Sequence, residues 1–340
     1  MRSNRMISRA GVIGISALIV LGACSEGGSK PASGTAKEPT HITVSVAQAQ
    51  DINGLLWNVG IEQGFFEKHG VIVDKVIPAE GGGTTLQNVI AGKLPFGQVA
   101  TAAVVNGYRE GLPVKIIGGA TEVPYEIGWG VAANSRFKTV DDLKNTTWGF
   151  TNAGSVTEAM SYLVPEAAKL DTKSIKRVST GGVGAGIALL QSGAVDVTFI
   201  PPLTALEHKK DVRVILQASE VLPSYELTVM VTAREYAEKN PDVAKGMLAG
   251  AQDAIEWIYA NPDKAGERYA KMAQVDVAAA TEIIKKFIEV KVYGLAFNPE
   301  AFKAVEKGLQ ATDGIDSVDW GGLLTDAYLP EGHKGTIPGK

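Results

Sequence analysis

Residues 41–79 read HITVSVAQAQDINGLLWNVGIEQGFFEKHGVIVDKVIPA, and the order of patterns within them decides the fold class. Residues 41–47 alternate apolar and polar side chains, the period of a half-buried strand. Residues 54–69 place Leu56, Val59, Gly60 and Phe66 at helical spacing, a face for a sheet, and Gly70 stands where a helix stops. Residues 71–79 read as a second strand. A strand, a helix and a strand in this order predict parallel pairing through a crossover helix.

Working outward, the pattern repeats. Gly81-Gly82-Gly83-Thr84-Thr85 opens a helix that Gly92 ends, and strands at 96–100 and 114–118 flank a helix reaching Arg109. A second unit follows, with strands at 129–133, 148–151, 176–179, 195–200 and 212–216. Its helices are a short one at 139–143, where Thr139 and Asp142 have capping-box spacing, one at 155–168 that Pro165 is expected to kink or divide, and one at 186–191 stopped by Gly193. Residues 226–232 (ELTVMVT) form a strand placed to rejoin the first unit. Val243, Met247, Ala251, Ala254, Ile255 and Ile258 repeat at helical spacing over 242–260, and Asn261 and Pro262 are suited to the N-cap and first turn of a further helix. The remainder to about residue 310 reads as helical.

The fold class is therefore α/β: two α/β lobes, each on a parallel sheet, with a double-crossover hinge and a ligand cleft between them. Lobe one is expected at 41–127 plus 227–340 and lobe two at 128–226, with crossings near 127–129 and 225–228.

The amino terminus sets the compartment. Arg2, Arg5 and Arg9 precede an apolar run over 10–21, which is shorter than the about 20 residues a spanning helix needs. The run ends in Leu21-Gly22-Ala23-Cys24, which resembles the lipobox of bacterial lipoproteins. Residues 1–23 thus read as a lipoprotein signal peptide with Cys24 as the lipidation site. Residues 24–40, rich in Gly, Ser and Pro, read as a flexible tether. Cys24 is the single cysteine of 340 residues, so no disulfide and no cysteine metal site forms within the chain. Removal of residues 1–23 leaves 30 basic against 37 acidic residues, a net charge of −7, which argues against a nucleic-acid partner.

Several stretches resemble the type 2 periplasmic solute-binding proteins of ABC importers, in the group that binds alkanesulfonates, taurine, nitrate and thiamine-pyrimidine precursors. They are Gly64-Phe65-Phe66-Glu67-Lys68-His69-Gly70-Val71, Ala91-Gly92-Lys93-Leu94-Pro95-Phe96-Gly97, residues 189–197 (LLQSGAVDV), and Glu256-Trp257-Ile258 ahead of Asn261-Pro262-Asp263-Lys264-Ala265. The resemblance spans about residues 41–290. It departs from the family at Pro95, where an Asp is usual, and at Pro165, inside a helix the family leaves whole. It implies the type 2 periplasmic binding protein fold, a small-molecule ligand, an ABC permease and ATPase as partners, a location in the periplasm or at the cell surface, and a monomer that closes about its hinge.

Ligands of open α/β sheets sit beyond the carboxyl ends of the strands, where helix N-termini offer N–H groups. The candidate ligand-binding residues are therefore Gln48, Gln50 and Asp51 after the first strand, Gly83 and Thr84 before the next helix, and Thr101 after the third strand. Asn152, Ser155, Val156, Gly182 and Pro202 occupy the equivalent loops of the second unit. Tyr125, Glu126 and Tyr225 lie beside the crossings, and Trp57 is placed to wall the cleft. Asp51, Asn53 and Ser155 serve equally as N-caps, Gly83 as a turn residue, and Trp57 as core. These loops hold almost no Lys or Arg; Arg177, the nearest, falls within a strand. That favours a neutral or singly anionic organic ligand, with an aromatic or heterocyclic one compatible with Trp57, Tyr125 and Tyr225.

An enzyme of the same fold, a pyrimidine synthase, would require by resemblance an iron site and a cysteine-rich motif. His41, His69, His208 and His333 are scattered without metal-ligand spacing, and no Gly-x-Ser-x-Gly elbow occurs. No catalytic residue, metal or cofactor is expected. A ligand sensor docking on a receptor is the remaining alternative.

Overall fold

The computed structural model describes residues 38–49, 51–79 and 81–339; the expected signal peptide, Cys24 and candidate Gln50 lie outside the described residues. The chain begins with β1 (Thr40–Ala47), α1 (Ile52–Glu62), α2 (Phe65–Lys68), β2 (Val71–Ala79), α3 (Gly81–Ile90), β3 (Phe96–Ala100), α4 (Thr101–Arg109) and β4 (Val114–Thr121). It continues through β5 (Gly128–Ala132), β6 (Thr147–Phe150), α5 (Val156–Ala167), β7 (Lys176–Ser179), α6 (Val183–Ser192), β8 (Val197–Phe199), α7 (Pro202–Glu207), β9 (Val212–Gln217) and α8 (Ala218–Val221). It then returns as β10 (Thr228–Ala233), followed by α9 (Arg234–Lys239), α10 (Pro241–Ala260), α11 (Pro262–Ala273), α12 (Val277–Glu289), α13 (Pro299–Asp313) and α14 (Trp320–Leu323).

Two five-stranded sheets result, in the orders β2-β1-β3-β10-β4 and β7-β6-β8-β5-β9. Neither is purely parallel, which corrects the expectation. β10 lies antiparallel between β3 and β4, and β5 lies antiparallel to both β8 and β9. The cause is the connectivity. β10 starts at the crossing, where β4 ends, so it runs against its neighbours; β5 enters the second sheet from that crossing in the same way.

The two connections lie side by side. The N–H groups of Tyr225 and Leu227 donate to the carbonyls of Glu122 and Thr121, each at 2.8 Å, and that of Ala218 donates to Ile127 at 2.9 Å. The chain therefore passes between the sheets as a short hydrogen-bonded ribbon. The C-terminal helices reach across as well, α13 packing on α5 and α12 on α7.

Local corrections have physical reasons. The single helix expected over 54–69 divides into α1 and α2 because Gly64 adopts φ +69, a left-handed conformation that glycine takes without a Cβ clash. The break lets Phe66 turn under α1, where its ring stacks on Trp57 with centroids 5.5 Å apart. A Cβ on Gly60 or Gly250 would meet Phe66 at 2.4 or 2.5 Å, so α1 and α10 close on this ring only as glycines. Pro202, expected in a strand-end loop, is the first residue of the helix α7. Asn261 makes no side-chain cap for α11; its amide donates to the carbonyl of Trp257 at 2.9 Å and finishes α10.

Pro165 does not divide α5, which runs unbroken from Val156 to Ala167. A proline inside a helix leaves the carbonyl four residues earlier without its donor. That carbonyl belongs to Ser161, and the Nε of Arg177 donates to it at 3.0 Å. The guanidinium also lies 3.9 Å from the centroid of the Tyr162 ring and donates to the carbonyls of Thr172 and Ile175. Arg177 is thus occupied in repairing the helix and is no ligand clamp. Arg177→Met should destabilise the protein by about 1–3 kcal/mol in urea unfolding, the cost of an unsatisfied buried group. In a Pro165→Ala background the same change should cost less, because alanine restores the backbone N–H; equal costs would contradict the repair.

Candidate ligand-binding site

The carboxyl ends of β1, β3 and β4 converge with the start of β10, and a buried polar network lies beneath them. Gln98 of β3 is its centre. Its Oε1 accepts from the indole Nε1 of Trp57 at 2.9 Å, and its Nε2 donates to Asn53 Oδ1 at 2.9 Å and Thr228 Oγ1 at 3.0 Å. Thr228 shares a 2.6 Å hydroxyl contact with Thr121. Asn53 in turn donates to Asp51 Oδ1, from its backbone N–H at 2.9 Å and from its Nδ2 at 3.1 Å. The network therefore ties α1, three strands and the first-sheet ends of both crossings to one carboxylate, Asp51, the N-cap of α1.

Asp51 and Glu126 of the first crossing influence one another electrostatically. Each retains some contact with solvent yet is largely surrounded by protein. Burial raises the pKa of both carboxyls well above the usual range, Asp51's hydrogen bonds from Asn53 offset this in part, and the charge of Asp51 raises Glu126 further. The hydroxyl of Tyr293 donates to the carbonyl of Ile52, and Tyr293 and Tyr269 titrate high because they are buried and because Asp51 and Glu126 add negative charge. Burial pushes Tyr125 up to about 12, with Glu282 and Glu289 of α12 contributing.

The other candidates divide. Thr101 is fully buried and its Oγ1 has no partner among the described residues. Gln48 holds a left-handed φ of 52 at the exposed end of β1, and its carbonyl accepts from Asp51 N–H at 3.1 Å. Gly83 and Thr84 sit exposed in the first turn of α3. In the second lobe, Ser155 caps α5 by accepting from Glu158 N–H at 3.2 Å and joins the hydroxyls of Thr151 and Thr157. Asn152 is exposed, Val156 and Pro202 are half-buried, and Gly182 leads into α6 with open space beside it. Trp57 is 0% exposed with its N–H paired, so it is core and carries no free face to a ligand. Tyr225 is equally buried: a Cβ on Gly308 of α13 would come within 3.3 Å of its hydroxyl, and it belongs to the packing of α13 on α5.

Sequence reasoning missed Tyr269 and Tyr293. Both come from the C-terminal helical region, which carries no loop signature, and only the return of the chain to the first sheet brings them to Asp51. Among the described residues no group of three or more His, Cys, Asp or Glu is placed to hold a metal, and no helix is long and apolar enough to cross a membrane.

Two α/β lobes, two adjacent crossings and strand ends converging beside them define the periplasmic binding protein fold. The comparisons agree. Residues 53–265 match the family described as "NMT1/THI5 like", and the chain belongs to that family. A protein of Bacillus subtilis (strain 168) named for binding aliphatic sulfonates is 23% identical over 275 residues, covering 81% of each chain. A protein of Brucella abortus (strain 2308), named only as a binding protein, is 25% identical over 244 residues, 70% of this chain and 74% of that one. Among solved structures, the periplasmic aliphatic sulphonate binding protein SsuA from Escherichia coli superposes with a TM-score of 0.66 at 19% identity, covering 83% of this chain and 96% of that one. At that identity the likeness is one of fold.

A third buried carboxyl lies in the ribbon. Glu226 is fully buried; its Oε1 accepts from Ala120 N–H at 3.1 Å, and its Oε2 has no partner among the described residues. Burial, with the charge of Glu122 adding to it, raises its pKa well above the ordinary value. A carboxyl whose folded pKa is raised stabilises the fold at acid pH, and that contribution is lost as pH rises through the raised value. Thermal midpoints of the ligand-free protein should fall as pH climbs above about 5. Glu226→Gln should flatten the fall, and the further changes Asp51→Asn and Glu126→Gln should flatten it more; an unchanged slope would contradict the burial of these charges.

Proposed function

We propose that this chain is the solute-binding component of an ABC importer. It captures a small organic molecule between its lobes, closes about the paired crossings and presents the closed form to a permease and its ATPase. The observation that carries this reading is the pair of hydrogen-bonded crossings, which joins two sheets beside the strand ends where ligands of such sheets sit. The names of the relatives support it, since they describe binding proteins and not catalysts. The lobes comprise 41–127 plus 227–340 and 128–226. The candidate residues Gln48, Asp51, Thr101, Tyr125, Glu126, Asn152 and Ser155, with Gln50 from the sequence reading, supply the contacts.

In this reading the protein works as a monomer in the periplasm or at the cell surface, held to the membrane by lipid on Cys24 and free to move on its Gly/Ser/Pro tether. The cargo is a small organic molecule. The scarcity of Lys and Arg in the loops favours a neutral or singly anionic one, with an aromatic or heterocyclic frame compatible with the tyrosines there.

Two measurements test the proposal. A screen of small organic solutes should contain a class that raises the thermal midpoint and contracts the radius of gyration in X-ray scattering, because ligand binding to the folded, closed form shifts both. Cys24→Ser should lose the acyl mass and leave the membrane fraction. A screen with no stabilising solute would overturn the binding role, and an unchanged membrane fraction would overturn the anchor.

A further inference from the structure

The helix α13 touches both lobes, and its two sides are built differently. One side is fastened. Glu306 Oε1 accepts from the indole Nε1 of Trp320 and from the N–H of Val318, each at 3.0 Å, and the ring of Phe302 packs edge-on against Trp320 with centroids 4.8 Å apart. Trp320 opens α14, which rests on β4 of lobe one, and the N–H of Thr325 just beyond donates to the carbonyl of Ile116 in β4 at 3.0 Å. The start of α13 is tied to the second crossing, where Asn298 Nδ2 donates to Ser224 Oγ at 3.2 Å.

The other side is smooth. Gly308 lies against α5 of lobe two, and a Cβ built on it would stand 3.2 Å from Ala159 Cβ and 3.4 Å from Leu163 Cδ1. So close a contact needs a residue without a side chain, and such a face has no ridge to lock into the neighbouring helix. Among the described residues the one polar link between the two helices is the 2.6 Å pair of Lys307 and Glu166, whose side chains are 56% and 52% exposed. Ion pairs that open to water contribute little. α5 itself is held to lobe two by Arg177 of β7, which donates to the Ser161 carbonyl.

A second observation lies beneath this contact. Tyr225 of the second crossing is 1% exposed, and its hydroxyl, 3.3 Å from the same built Cβ, has no hydrogen-bond partner among the described residues. A buried hydroxyl left unpaired carries the full cost of its desolvation. On the reading of the chain as a hinged two-lobe binding protein, we propose that α5 slides over α13 at Gly308 when the lobes move, with α13 staying on lobe one, and that the hydroxyl of Tyr225 tilts the balance toward the second arrangement, in which it is paired. Sliding of packed helices is the shear form of domain motion, and it requires an interface with few directional bonds. Tyr225 acts here through packing at the hinge and touches no solute.

The test uses the full chain carrying Cys24→Ser, so that introduced cysteines are its only thiols. Spin labels are attached in pairs at three exposed positions: Gln87→Cys on α3 of lobe one, Ala188→Cys on α6 of lobe two and Gln310→Cys on α13. Double electron–electron resonance should give a broad or two-component distance distribution between α3 and α6, an equally broad one between α6 and α13, and a single narrow one between α3 and α13. Tyr225→Phe removes the unpaired hydroxyl, so the component that matches the arrangement described above should gain at least about fivefold over the other. An unchanged circular dichroism spectrum confirms that this variant is folded. A narrow distribution between α6 and α13 beside a broad one between α3 and α13 places α13 on lobe two and overturns the sliding contact. Populations unmoved by Tyr225→Phe overturn the bias. Both results leave the hinged binding protein standing, because the distance between α3 and α6 still varies. Single narrow distributions for all three pairs show no lobe movement; the hinged reading then falls, and the sliding contact with it.

Discussion

The side-chain amide of Gln98 is the junction on which the rest of the architecture depends. It is buried within β3, and each of its polar atoms is used: one by Trp57 of α1, the other by Asn53 at the start of α1 and Thr228 at the start of β10. Buried polar groups in so dry a position are tolerable only when paired, so the geometry of each partner constrains the others. Through Asn53 the network orients Asp51; through Thr228 and Thr121 it fixes where the chain leaves and re-enters the first sheet. The floor of the site and the root of the hinge are therefore one structure.

This coupling gives a physical route from ligand to shape. A group that binds Asp51 and Glu126 touches the N-cap of α1 and the first crossing together, and the first crossing is hydrogen-bonded along its length to the second. α12 rests on α7 and α13 on α5, so the C-terminal helices also join the two lobes. Differential contact with open and closed arrangements is all that closure requires. The buried carboxyl of Glu226 lies in the same ribbon, where its Oε1 accepts from the N–H of Ala120 in β4.

Much of the fold was legible because its signals are local. Alternation over 41–47 marks β1, and Gly193 marks the end of α6 with φ 75. The strand direction was not legible, since β10 and β5 pair antiparallel for a reason of connectivity that no local pattern contains. Pro165 misled because its missing donor is made good by Arg177, a residue from a later strand. Pro95 shows the same lesson in reverse. Asp196, its counterpart in the second unit, accepts from Thr147 N–H at 2.8 Å; proline has no such acceptor, and its carbonyl instead accepts from the hydroxyl of Thr232 on β10 at 2.7 Å. The site was half legible: Asp51 and Glu126 follow from the strand-end and crossing rules, whereas Trp57 and Tyr225 are buried in packing and Tyr269 arrives by tertiary structure alone.

The central claim is that a solute lies between the lobes at the carboxyl ends of β1 and β3, against the crossings. The most direct measurement is a crystal structure of the protein with the tightest-binding solute of the screen. The account predicts density enclosed by both lobes and in contact with Asp51 and Glu126. Density on the outer surface, or a solute held by one lobe alone with the crossings unchanged, would contradict it.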